Sequence, residues 1–245
     1  MTKGTVALPV WKGKKIAWLC MESLCRMNKP VNDWELIVFE EDHIEELGEE
    51  FFYSYEQRLA KVGCSMIKYF DSEHKYPLSQ KWVMIASQAE ATSEYFCLCA
   101  TDNYYSPFML QNAERDIKNA DWCLTTKGYF YDFNHDKVLR FDYYATIGLQ
   151  MIAKTNLVRK FPLEAVNKGV DMWFAGNIGN NILINNDHWE NVICTNGMNI
   201  ISIERAEFFT DPAPPYYETK KRLIDLVPID IYSQMKMLCQ KLRLS

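Results

Sequence analysis

Short uncharged runs separated by amphipathic stretches dominate the first half of the chain. Thr5–Val10 is the first such run and predicts a strand, interrupted by Pro9 and leading into a turn over Trp11–Lys15. From Ile16 to Met27 the apolar spacing becomes helical, with Ile16, Leu19, Cys20, Leu24 and Met27 on one face. Pro30 ends that helix, and Trp34–Phe39 predicts a second strand that finishes in Glu40-Glu41-Asp42. An acid-rich helix is expected from Ile44 to Val62, then a strand from Cys64 to Phe70 and a helix from Pro77 to Ala91. The uncharged run from Tyr95 to Ala100 suits a strand buried on both faces, and it stops abruptly at Thr101-Asp102-Asn103. Pro107 then opens another helix.

Strand and helix thus alternate, which predicts an α/β fold: a mostly parallel, Rossmann-like sheet with right-handed crossovers and helices on its faces. The second half is less regular. Asp121–Phe133 and Lys137–Tyr144 read as aromatic-rich strands joined as a hairpin around Asn134-His135-Asp136. Gly148–Lys154 predicts a strand and Asn156–Phe161 a short helix. A helix is expected from the Ala175–Gly179 segment to Asn185, and a late strand over Val192–Ile203. Pro212, Pro214 and Pro215 precede a C-terminal helix over Tyr217–Leu244, interrupted at Pro228. No repeat, low-complexity tract or linker divides the 245 residues, so one domain over 1–245 is expected: a ligand-binding half (1–120), an irregular half (121–215) and a helical tail (216–245).

Composition narrows the class of partner. A net charge of −5 argues against a protein that coats nucleic acid non-specifically. Basic clusters survive that average at Lys12, Lys14 and Lys15, at Lys220, Lys221 and Arg222, and at Lys236, Lys241 and Arg243. They are solvated surfaces, or they meet an anionic acceptor or a membrane. The eight cysteines form no C-x-x-C pair, and Cys97 and Cys99 alternate within the apolar strand, as reduced core thiols do; a cytoplasmic location is expected. The four histidines lack zinc-type spacing. Without a leader-like segment or an apolar run of spanning length, no stable membrane insertion is expected.

Asp102 is the first candidate for chemistry. A carboxylate at the carboxyl end of a parallel strand stands where open α/β sheets bind ligands, which places it to hold a metal ion or a sugar. It could equally cap the helix near Pro107 or stabilise a turn.

The order of these features resembles that of GT-A fold glycosyltransferases, closest to the inverting family-2 type. The elements concerned are a first strand ending in a proline and an aromatic, a second ending in acids, a Pro77-Leu78-Ser79-Gln80-Lys81 helix start, and the apolar strand before Asp102. The resemblance covers roughly Val6–Phe174 and is strongest from Pro77 to Pro107. It implies a nucleotide-diphosphate sugar as donor, a UDP-sugar favoured, and Mn²⁺ or Mg²⁺ as cofactor. It assigns Pro9, Trp11, Glu40, Glu41, Lys81, Thr101 and Asp102 to the donor, with Asp102 as metal ligand. The family's D-x-D ending is reduced here to Ala100-Thr101-Asp102-Asn103. Asp171, in Gly169-Val170-Asp171-Met172-Trp173-Phe174, matches the family's catalytic base, and Trp173 and Phe174 fall on the acceptor side.

Two other readings stand beside this one. A degenerate module of the same fold would bind a nucleotide or glycan without turnover. A sugar-phosphate nucleotidyltransferase ranks lower, because Pro9-Val10-Trp11-Lys12-Gly13-Lys14 offers only one glycine for a phosphate loop. The acceptor is unread: a glycan, a lipid carrier, a protein, or hydroxylated bases in viral DNA.

Overall fold

Residues Thr2–Trp11 form strand β1, which has no solvent face: Val6, Leu8 and Val10 pack to one side and Ala7 to the other. The chain is described by a computed structural model over residues 2–41, 45–133, 135–142, 151–161, 181–185, 192–195 and 216–244. Strands β2 (Asp33–Glu41) and β4 (Tyr95–Leu98) flank β1 in parallel and repeat its two-sided burial. Leu36, Val38 and Cys97 join one core; Ile37, Phe39, Phe96 and Leu98 join the other. Such strands need a helical layer on each face. Helices α1 (Ala17–Leu24), α2 (Glu49–Tyr53), α3 (Glu56–Lys61) and α5 (Met109–Asp116) supply the first layer, and α4 (Leu78–Gln88) and α6 (Thr155–Arg159) the second.

The main sheet has seven strands in the order β10-β6-β9-β4-β1-β2-β3, completed by β3 (Cys64–Ser72), β6 (Trp122–Leu124), β9 (Met151–Lys154) and β10 (Ile182–Ile184). Only β9 runs against its neighbours, so the expected mostly parallel sheet is what the chain builds. Arg159 fastens α6 to the end of α4, donating to the carbonyls of Ala86, Ala89 and Glu90 at 3.0, 2.7 and 2.8 Å.

A second sheet, in the order β12-β8-β7-β11-β5, contains β5 (Asn103–Tyr104), β7 (Lys127–Asp132), β8 (Lys137–Asp142), β11 (Val192–Thr195) and β12 (Tyr216–Glu218). The β7–β8 pair is the expected hairpin, but the strand expected over Asp121–Phe133 is split, its first part, β6, joining the main sheet. Helix α7 (Ile229–Leu244) covers this sheet, packing Ile231, Met235 and Cys239 into a cluster with Tyr131 and Phe133. Ile16 and Leu19 reach the same cluster while Cys20, Met21 and Leu24 face the main sheet. The first helix is therefore buried on two sides rather than carrying the single apolar face expected, because it lies between two sheets.

Three further expectations are corrected. The helix predicted over Ile44–Val62 is two short helices, broken where the Ser54 hydroxyl donates to the Phe51 carbonyl at 2.6 Å. The helix expected to reach Asn185 gives way to β10, whose aliphatic residues pair in parallel with β6. Tyr217 belongs to β12, and the terminal helix starts only after Pro228, preceded by a 3₁₀ turn at Leu223–Asp225. Among the described residues no helix is long and apolar enough to cross a membrane.

Candidate functional site

The carboxyl ends of β1, β2 and β4 meet along one edge. In register, Pro9 lies opposite Phe39, Val10 opposite Glu40 and Trp11 opposite Glu41, while Ala7 lies opposite Leu98 on the other side. The Cys99 amide adds one more bond, donating to the Ala7 carbonyl at 2.9 Å, before the chain leaves the sheet.

It leaves through a turn over Ala100–Asn103, closed by the Asn103 amide donating to the Ala100 carbonyl at 3.4 Å. Thr101 and Asp102 are its central residues. The fully buried Tyr105 braces it from behind, its hydroxyl accepting from the Ala100 amide at 2.6 Å and from the Asn103 side-chain amide at 3.1 Å. Nothing in the spacing of the sequence announces this role for Tyr105. Burial raises the Asp102 carboxyl from 3.8 to about 6, and a hydrogen bond from its own backbone opposes the shift. Helix α5, the alternative object of an Asp102 cap, begins at Met109, where the Ser106 hydroxyl accepts from the Phe108 amide.

The acids ending β2 are engaged inside the protein. Glu40 accepts from the amides of Leu47 (2.9 Å) and Gly48 (3.0 Å) and from the Tyr69 hydroxyl (2.9 Å), holding the 45–48 loop against β3. Glu41 accepts from the Tyr76 amide at 2.7 Å and forms an ion pair with Lys81 from the first turn of α4. Both partners of that pair are buried, at 3% and 7% exposure, so two residues assigned separately from the sequence neutralise each other. Trp11 is partly buried, and the Lys12 ammonium lies 5.3 Å from its ring centroid.

Two polar atoms on this edge are buried without a hydrogen-bond partner, Trp11 Nε1 and Asn103 Oδ1. Each costs about 1–3 kcal/mol until a partner arrives. The fit to a divalent cation rests on these groups. A hard cation takes oxygen ligands, and the turn offers one carboxylate, Asp102, next to an unclaimed amide oxygen, Asn103 Oδ1. Among the described residues no group of three His, Cys, Asp or Glu side chains gathers. Asp171, Trp173, Phe174 and His188 lie outside the described residues. A cavity of about 470 Å³ beside α5, lined by Lys29, Gln111, Arg115 and Lys118 among others, adjoins the loop that leads into β2, at the opposite edge of the sheet.

The mostly parallel sheet between helical layers, the turn carrying Asp102 after β4 and the second sheet continuing from it make an architecture shared with solved structures of GT-A-type glycosyltransferases. No protein-family model matches the chain, and no curated protein sequence matches it. Solved structures share the fold. S. aureus TarS 1–349 in complex with UDP-GlcNAc aligns with a TM-score of 0.61 over 97% of this chain and 65% of that one, at 17% identity. Another structure of TarS 1–349 gives 0.59 over 79% and 60%, at 16% identity. The mannosyltransferase PcManGT from Pyrobaculum calidifontis, in complex with GDP-Man and Mn²⁺, gives 0.55 over 79% and 56%, at 11% identity. The chain spans less than two thirds of the length of each. At these identities the likeness is one of fold.

Proposed function

We propose that this protein is a glycosyltransferase that moves a sugar from a nucleoside-diphosphate sugar, a UDP-sugar in first place, to an acceptor hydroxyl. The observation that carries the reading is Asp102, a buried carboxylate in a braced turn at the carboxyl end of β4, on a fold whose solved examples hold UDP-GlcNAc or GDP-Man. Asp102 with Asn103 would hold Mn²⁺ or Mg²⁺, which, when bound, screens the charge of the diphosphate. Asp171 is the proposed base. Its carboxylate takes the acceptor hydroxyl proton as that oxygen bonds to the anomeric carbon; the bond to the diphosphate breaks, its electron pair leaving with the nucleotide, and the anomeric centre inverts. Trp173 and Phe174 are proposed to line the acceptor side, and Pro9 and Trp11 the nucleoside. Glu41 and Lys81 shape the edge as a pair.

Thermal unfolding with UDP, GDP, CDP and TDP, each with Mn²⁺ and with a chelator, tests the donor site. The expected result is a metal-dependent rise in the midpoint with one nucleotide, UDP. No rise with any of the four overturns the reading.

A second reading, a nucleotide-binding module without turnover, is favoured by one observation: Ala100 and Asn103 stand where the family carries acids, leaving a single carboxylate. Release of free nucleotide from the donor sugar separates the two. Turnover that is lost in Asp102→Asn and in Asp171→Asn supports the transferase; nucleotide binding without turnover in the native protein supports the module.

A further inference from the structure

Lys12 holds a conformation that lysine does not choose. Its backbone is left-handed, φ 51° and ψ 39°, at the point where β1 ends. For a residue with a Cβ that conformation costs about 1–2 kcal/mol. Among the described residues the other non-glycine with positive φ is Asp136. Asp136 sits in a hairpin turn, a residue type and place that favour this backbone, with its carboxylate engaged by Tyr131 and Lys236. Lys12 has no such explanation. The glycine of this turn stands one place later, at Gly13, where a Cβ would lie 2.8 Å from Val10 Cγ1.

The side chain is equally uncommitted. Lys12 is exposed, its ammonium lies over the Trp11 ring, and among the described residues no carboxylate pairs with it. Lys14 and Lys15 are exposed beside it, which makes this turn a concentrated positive patch on a protein of net charge −5. In strand order β1 stands between β4 and β2, so the turn that follows it lies between Asp102 and Glu41. Lys81, the cation assigned to the diphosphate from the sequence, is already neutralised by Glu41.

We propose that Lys12 is the cation that binds the donor diphosphate, its strained backbone presenting the ammonium across the end of β1. This rests on the transferase reading above. With only one carboxylate at the metal turn, a leaving diphosphate needs charge compensation from the protein, and of the three exposed lysines of this turn Lys12 is the one that directly follows β1 and holds the strained backbone.

The test is calorimetric titration of native protein, Lys12→Gly and Lys12→Gln with UDP, GDP, uridine and guanosine, all with Mn²⁺. Both variants are expected to bind the diphosphate about tenfold more weakly and the matching nucleoside unchanged. Lys12→Gly is expected to unfold no earlier than the native protein, because glycine relieves the left-handed strain. Diphosphate affinity that is unchanged in both variants, or lost in proportion for the nucleoside too, overturns the role of Lys12 and leaves the transferase reading standing. Native protein that binds neither of these diphosphates, nor CDP or TDP, removes both.

Discussion

Asp102 folds with its carboxyl raised from 3.8 to about 6 by burial, which ties function and stability to pH in opposite directions. A carboxyl whose folded pKa lies above the unfolded one stabilises the fold most below about pH 4; that contribution is lost as pH rises through about 6. Asp102→Asn should therefore raise the neutral-pH stability of the ligand-free protein, by at most about 3 kcal/mol, with the gain vanishing near pH 4 in denaturant titrations. The same variant should lose the metal-dependent nucleotide response. In the native protein, protons compete with the cation, so metal-dependent nucleotide binding should weaken as pH falls below about 6. Tyr105→Phe removes the oxygen that accepts from Ala100 and Asn103. It should cost about 1–3 kcal/mol of stability and weaken nucleotide binding, measured by urea unfolding and titration. The place of Asp102, in the turn that closes an apolar strand, was legible in the sequence because the run stops at it. Tyr105 and Lys12 were not: a brace from behind and a positive φ leave no mark in residue spacing.

Elements meet here through contacts that are distant in sequence. Glu41 closes β2 and Lys81 opens α4, and their pair is shut away from water. Removing one partner strands a buried charge, so Glu41→Gln or Lys81→Met should each destabilise by about 3–5 kcal/mol, while Glu41→Met with Lys81→Met should recover most of the loss. A double-mutant cycle by chemical denaturation reads the coupling. The sequence placed each residue at the end or start of its own element, and the ion pair between them was not legible, because 39 intervening residues hide who pairs with whom. At the other end of β1, Gly4 lies opposite Tyr95, and a Cβ there would stand 2.1 Å from the tyrosine ring. Gly4→Ala should cost about 1–3 kcal/mol through overpacking, with the nucleotide response of the folded fraction intact. The strands of the first half were legible because two-sided burial demands mostly apolar runs, interrupted within the expected spans only by Glu35 and Lys68. β10 and β12 were not, since three residues show no period and their pairing partners are remote.

At the scale of the molecule, the two sheets are bound together by α1 between them and by a chain of charges. Glu22 of α1 receives the Arg58 guanidinium in two bonds of 2.6 and 2.7 Å, and Arg26 links Glu22 to Asp230 of α7. Exposed pairs of this kind contribute little individually, so α7 is held chiefly by Ile231, Met235 and Cys239. Ile231→Ala should cost about 2–5 kcal/mol, and Asp230→Ala less than about 1 kcal/mol, in the same unfolding assay. The α/β alternation read from the first half foretold the architecture of the main sheet. The second sheet was only partly legible, because its five strands are gathered from four separate stretches of chain.

Asp102 is followed directly by β5, the edge strand of the second sheet, and its turn ends β4 of the first. The residue proposed to hold the donor's cation is thus also the hinge pin between the two halves. Clamping it with nucleotide and metal should transmit stiffness outward: amide hydrogen exchange in β11, which pairs with β5, should slow on donor binding, although β11 is not proposed to touch the donor. On the proposed reading, a loaded donor would be felt as firmness in the second sheet, setting an order in which the two substrates engage.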